Sequence, residues 1–260
     1  MSFAPPSAPP WLILGFVFLP MLVMFVAQWG LSVAGRSPGS PRWVYWLSAA
    51  GLVVAMVGSL TLAARGSLAE FHRFPPPFLP LTFGCIVLWV LIATSRLGRA
   101  LGGLPLLALV AFQSFRLPLE LMMHAAAEAG VMPPQMSYPG LGHVGYNFDI
   151  VSGATAAIVA LLLWLGKAPR WLLLGWNALS TALLAVIVVV AVVSAPPLLA
   201  FGAEGANSWI AYAPFVWLPT VLVPAAVSGH VLLWQRLLVP ASSLSQGQIA
   251  PQPAAIDSRA

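Results

Sequence analysis

Apolar residues in this chain run in long blocks, and short polar connections separate the blocks. A helix needs ~20 apolar residues to cross a bilayer core. Seven blocks meet or approach that length, at about 11–34, 43–64, 78–95, 104–127, 148–166, 171–194 and 209–237. The pattern predicts an all-α, multi-pass integral membrane bundle of seven transmembrane helices, occupying residues 11–240. A flexible, Pro-rich N-terminus (1–10) is expected before it and a disordered, Ser/Gln/Pro-rich tail (241–260) after it. Pro75, Pro76 and Pro77 suit the start of the third helix. Pro118 in the fourth, and Pro214, Pro219 and Pro224 in the seventh, each remove a backbone hydrogen bond and predict kinks.

Composition narrows the class. Hydrophobic residues make up 60% of the chain and charged residues only 7%, against about 25% charged in soluble domains. The mean hydropathy is +0.93. The net charge of +5 is spread over scattered Lys and Arg with no basic stripe, so no nucleic-acid partner is expected. The lone cysteine, Cys85, sits in an apolar block and reads as a small buried hydrophobe. The first block has no Lys or Arg ahead of it and exceeds a signal-peptide core, so it is expected to be retained as a helix. Cleavage near Ser32 and Ala34 would leave six.

The few cations set an expected orientation. Arg36 with Arg42, Arg96 with Arg99, and Lys167 with Arg170 fall in alternate connections, and Arg236 precedes the tail; of the intervening connections, only the one before the third helix carries cations, Arg65 and Arg73, beside Glu70 and His72. The positive-inside rule puts the alternate pairs and Arg236 in the cytoplasm, the N-terminus outside and the C-terminus inside. A bacterial-type inner or plasma membrane is the expected location. Trp11, Trp43, Trp164, Trp171, Trp209 and Trp234 lie near block ends and read as interfacial anchors. Closely spaced small residues such as Gly51 and Gly58 permit close helix packing within one chain or in a homo- or hetero-oligomer.

Chemistry-bearing residues concentrate in one region. Arg116, Glu120 and His124 recur every four residues, on one helical face with Gln113 close to it. Ionisable groups facing lipid are costly, so this face should point into the bundle. Asn147, Asp149 and Ser152 open the fifth helix at a similar expected depth. The glycine-rich link from 130 to 145 could fold over them. On the expected topology, five of the six acidic residues fall in the outer half, Asp257 being the exception.

Each residue has a plain reading beside a functional one. Arg116 with Glu120 reads as an intrahelical ion pair shared with Asp149. Asn147 reads as a helix cap. His124 and His143 read as interfacial histidines, and His230 as a packing residue. The leading functional reading is a site for a small polar solute or for protons, with Arg116 holding an anion, Glu120 and Asp149 accepting protons or cations, Asn147 assisting and His124 as gate. A sensory or partner-binding bundle without chemistry is the first alternative. A membrane metal hydrolase is the second, with Glu120, His124 and His143 as ligands and Asp149 or His72 in reserve. No metal or other cofactor is required by any motif. Retinal binding would need a lysine in the last helix, and Lys167 lies in a connection.

Overall fold

The computed structural model describes residues 3–36, 42–140, 144–196 and 198–238. The expected tail at 241–260, with Asp257, and His143 lie outside these residues. The described chain is all-helical: α1 (Pro10–Gly35), α2 (Arg42–Ala64), α3 (Phe78–Thr94), α4 (Arg96–Gly102), α5 (Leu106–Phe112), α6 (Arg116–Glu128), α7 (Asp149–Trp164), α8 (Arg170–Val193) and α9 (Val223–Leu238). Short 3-10 turns and one π-turn complete it, without a β-strand among the described residues.

Five helices, or helix pairs in line, are long and apolar enough to cross a membrane: α1, α2, α5 with α6, α8, and the π-turn with α9. α3 and α4 meet the same criterion only when taken together, across a 70° bend. Leu14, Phe18 and Phe25 on α1, and Trp46, Val54 and Val57 on α2, stand more than half exposed. Such surfaces have no soluble role at this density, and their solvent is lipid. The chain is a helical membrane bundle. Among the seven expected segments, the one at 148–166 corresponds to α7, which has only 16 residues, about 24 Å of helix.

Each break in the helices has a local cause. Ser95 is extended (ψ 177°), and its Oγ accepts hydrogen bonds from Leu97 N and Gly98 N, so it caps α4 while ending α3. A Cβ on Gly98 would meet Ala93 O at 1.8 Å, so the bend requires glycine. Pro118 has no N–H for Ser114 O, and the ladder one turn upstream tightens into a 3-10 turn at Gln113–Phe115. In the last span Pro224 offers no N–H to Thr220 O, and the helix widens to a π-turn at Leu218–Leu222.

Two expectations need correction. The seventh segment does not become helical at 209: residues Trp209–Ala211 form one 3-10 turn, the π-turn begins at Leu218, and the α-helix at Val223. Trp209 is no interfacial anchor, because it is 2% exposed and packs edge-on against Phe16. Trp11, Trp43, Trp164 and Trp171 do stand exposed at helix ends, while Trp234 is half-buried and donates to Thr181 Oγ1. Cys85 is free and buried. At the N-terminus, Phe3 stacks edge-on with Phe71, and its carbonyl accepts from the Tyr212 hydroxyl.

Candidate functional site

The helix face carrying Arg116 and Glu120 turns inward, against α7, α8 and α9. Arg116 is 1% exposed. Its Nε donates to Asp149 Oδ2 at 2.6 Å and its Nη2 donates to Asp149 Oδ1, a two-point pairing. Asp149 opens α7, so the pair joins α6 to α7. The helices can approach because Gly153 faces the backbone of α6: a Cβ there would lie 2.3 Å from Leu117 N.

The third nitrogen of the guanidinium, Nη1, lies 2.7 Å from His230 Nε2 on α9. Arginine only donates, so His230 Nε2 must accept, and the ring proton sits on Nδ1. Nδ1 then donates to Asn177 Oδ1 on α8, 2.7 Å away. One line of hydrogen bonds thus joins α7, α6, α9 and α8. His230 is the packing residue it was expected to be, and also a direct partner of Arg116.

Glu120 stands apart from this line. It does not form the expected ion pair with Arg116; among the described residues the ion pair of Arg116 is with Asp149. Arg116 turns to Asp149 because that carboxylate accepts two parallel donors from its fork. Glu120 Oε2 accepts from Asn147 Nδ2 at 2.5 Å. The same Nδ2 donates to Met136 O, and Asn147 Oδ1 accepts from Asp149 N. Asn147 is not the cap residue itself: Phe148 holds that position without a side-chain bond, and Asn147, one residue earlier, accepts the first N–H of α7 and also holds Glu120. The link before α7 folds over the group: Tyr146 N donates to Gln135 O, Asn147 N to Ser137 O, and Gln135 Nε2 to Gly205 O.

A cavity of about 70 Å³ borders Arg116, Glu120, Asp149 and Asn207. That is enough for water, though the rest of the wall is apolar, with Leu119, Met123, Leu184 and Leu222 among it. Asn207 Oδ1 is buried there without a hydrogen-bond partner among the described residues.

His124 continues the same face toward the surface. Its Nδ1 lies 2.8 Å from Ser137 Oγ, its ring stacks on Tyr138 with centroids 4.2 Å apart, and Nε2 lies 3.5 Å from Glu128 Oε1. Glu120, His124 and Glu128 thus run from a buried carboxyl to one that is 61% exposed. The remaining expected residues are not gathered here. Arg73 pairs with Glu70 at the surface, and His72 is exposed. Among the described residues no three His, Cys, Asp or Glu side chains come together to hold a metal. Ser152 is buried, and its hydroxyl has no hydrogen-bond partner among the described residues.

Asn177 and Asn207 escaped sequence reasoning. Asn177 could have been flagged as a lone amide in the middle of an apolar helix; Asn207 lies in a connection, where an amide is unremarkable. The chain matches no protein-family model, and neither a curated relative nor a solved structure matches it.

Proposed function

We propose that this chain is a seven-span protein of the inner or plasma membrane, N-terminus outside, that handles protons at Glu120. The observation that carries the reading is the placement of this carboxyl. It is buried, it borders a cavity sized for water, and the nearest guanidinium is committed to Asp149. Its one side-chain partner is a neutral amide. Such a group can hold or release a proton without breaking an ion pair that the fold depends on. The cavity is too small for most solutes, which favours protons and water over a larger polar cargo. The stepwise row Glu120, His124, Glu128 offers a route toward the surface, on the side that the charge pattern assigns to the outside.

Within this reading the two halves of the network divide the labour. Arg116, Asp149, His230 and Asn177 clamp four helices. Glu120, with Asn147 to orient it, carries the proton.

The test is proton flux into reconstituted vesicles containing a pH-sensitive dye, under an imposed pH gradient. The chain should dissipate the gradient faster than protein-free vesicles do. Glu120→Gln should cut that excess rate by about tenfold or more, since general acid–base groups commonly contribute 10²–10⁴-fold to the steps they serve. The glutamine keeps an oxygen for Asn147 Nδ2, so the fold should persist. A rate equal to that of empty vesicles, or one unchanged in Glu120→Gln, would refute the proposal.

A further inference from the structure

The two ends of the bundle differ in charge. Arg36 follows α1, Arg42 opens α2, Arg96 and Arg99 lie on α4, Lys167 follows α7 and Arg236 is in the last turn of α9. These positions meet at one end. A Cβ on Gly30 of α1 would lie 3.5 Å from Leu101 of α4, and one on Gly35 would lie 3.2 Å from Tyr45 of α2. Leu101, Leu104, Leu163, Ala168 and Leu237 belong to one apolar cluster, which brings the end of α4 to the ends of α7 and α9. Arg170 Nη2 donates to Leu237 O at 2.5 Å and ties the start of α8 to the same place. The acidic side chains among the described residues sit elsewhere: Glu70 lies between α2 and α3, Glu120 is inside α6, Glu128 ends it, Asp149 opens α7 and Glu204 follows α8. Among the described residues no ion pair reaches Arg36, Arg42, Arg96, Arg99, Lys167 or Arg236.

α4 gives this end a defined face. It leaves α3 at 70°, so it lies across the end of the bundle rather than along it. Leu97, Gly98 and Gly102 are buried against the protein, while Arg96 and Arg99 are exposed. Side chains three apart on a helix are neighbours, so two guanidinium groups stand side by side there. A guanidinium fork matches the oxygens of a phosphate two at a time. Three indoles share this end with the cations: Trp43, next to Arg42, is 67% exposed, Trp164 is 71% exposed, and Trp171, next to Arg170, is 72% exposed. Exposed indoles at helix ends mark the headgroup depth of a bilayer. Cations at that same depth meet lipid phosphates, whereas a soluble acidic protein would approach from the water beyond them.

We propose that this end of the bundle docks anionic phospholipids, with the Arg96 and Arg99 side chains of α4 holding the phosphate of one headgroup. An anionic lipid neutralises cations that the chain leaves without acidic partners. A zwitterionic lipid carries a phosphate too, but its ammonium group offsets the attraction, so the surface discriminates between lipids by net charge. The proposal concerns lipid binding alone and is independent of the proton reading, since none of these cations borders the cavity at Glu120.

Binding of phosphatidylglycerol to the purified full chain in a neutral detergent tests it, with phosphatidylcholine of the same acyl chains as the comparison. The phosphatidylglycerol should bind about tenfold more tightly or better, and the margin should shrink as salt screens the charges. Arg96→Gln combined with Arg99→Gln should cut the margin by about fivefold or more, since each basic residue near anionic headgroups contributes several-fold. Arg65→Gln, which removes an exposed cation at the opposite end, should leave the margin unchanged. Glycerol phosphate, the headgroup chemistry without acyl chains, should not displace the lipid at matched concentration. The proposal is overturned by equal binding of the two lipids, by a margin unmoved in the double variant, or by an equal loss in Arg65→Gln. Displacement by glycerol phosphate would assign the arginine pair to a soluble anion and overturn it as well. Should the double variant fail to fold, Arg96→Gln and Arg99→Gln alone, each expected to lose about twofold, still decide.

Discussion

Removing Asp149 would leave the Arg116 guanidinium buried at 1% exposure with its carboxylate gone. Breaking a buried pair from one side costs about 3–5 kcal/mol, because the remaining charge keeps its desolvation penalty and loses its compensation. Asp149→Leu should therefore lower the thermal midpoint in detergent sharply, and Arg116→Leu should do the same. The double variant should be more stable than either single one, since apolar replacement of both partners removes the penalty too. Thermal unfolding of the three variants checks this; a double variant as unstable as the sum of the singles would mean that the two residues are uncoupled and that the lost pairing is not what destabilises either single variant. At this scale much of the site was legible. Spacing by four put Arg116, Glu120 and His124 on one face, and the cost of charge in lipid turned that face inward. The actual partner choice was not legible. Arg116 prefers Asp149 of α7 to Glu120 of its own helix because the start of α7 presents a carboxylate square to the guanidinium fork, and that is a property of packing.

The close approach of α6 and α7 carries that pairing. Gly153 is the contact point, and a Cβ there would press to 2.3 Å from Leu117 N and 2.8 Å from the Arg116 carbonyl carbon. Backbone cannot yield as a side chain can. Gly153→Ala should separate the helices, strain the Arg116–Asp149 pair and cost about 1–3 kcal/mol, the usual penalty of overpacking. Gly58, with open space around it, provides the matched control: Gly58→Ala should cost nothing or stabilise slightly, as alanine is the better helix former. Equal thermal midpoints for the two variants would remove the contact argument. The helices themselves were readable from apolar block length, within a few residues for α1, α2, α3 and α8. The seventh segment misled at its start because Trp209 to Trp217 is as apolar as a helix would be, yet folds as buried turns against Phe16. Hydropathy reports burial, and burial in protein and burial in lipid look alike in one sequence.

The whole molecule's proposed topology rests on charge bias and on whether α7 crosses. With 16 residues it spans about 24 Å, short of a ~30 Å hydrocarbon core. Membranes thin locally around short helices at modest cost per Å, and polar Asn147 and Asp149 at its start are covered by the folded link. So a crossing is physically reasonable, and three exposed positions report on it: Glu128 before α7, Lys167 after it, and Glu204 after α8. In a Cys85→Ser background, single cysteines at these sites can be labelled by a membrane-impermeant maleimide on intact cells. Glu128→Cys and Glu204→Cys should label from outside, and Lys167→Cys only after permeabilisation. The inverse pattern would turn the molecule over and place the Glu120–His124–Glu128 row on the cytoplasmic side, reversing the route along which protons would enter. Equal labelling of Glu128→Cys and Lys167→Cys would mean α7 does not cross. The bundle would then hold an even number of spans with both termini on one side, and the Arg116–Asp149 pair would anchor a helix that dips into the bundle and returns.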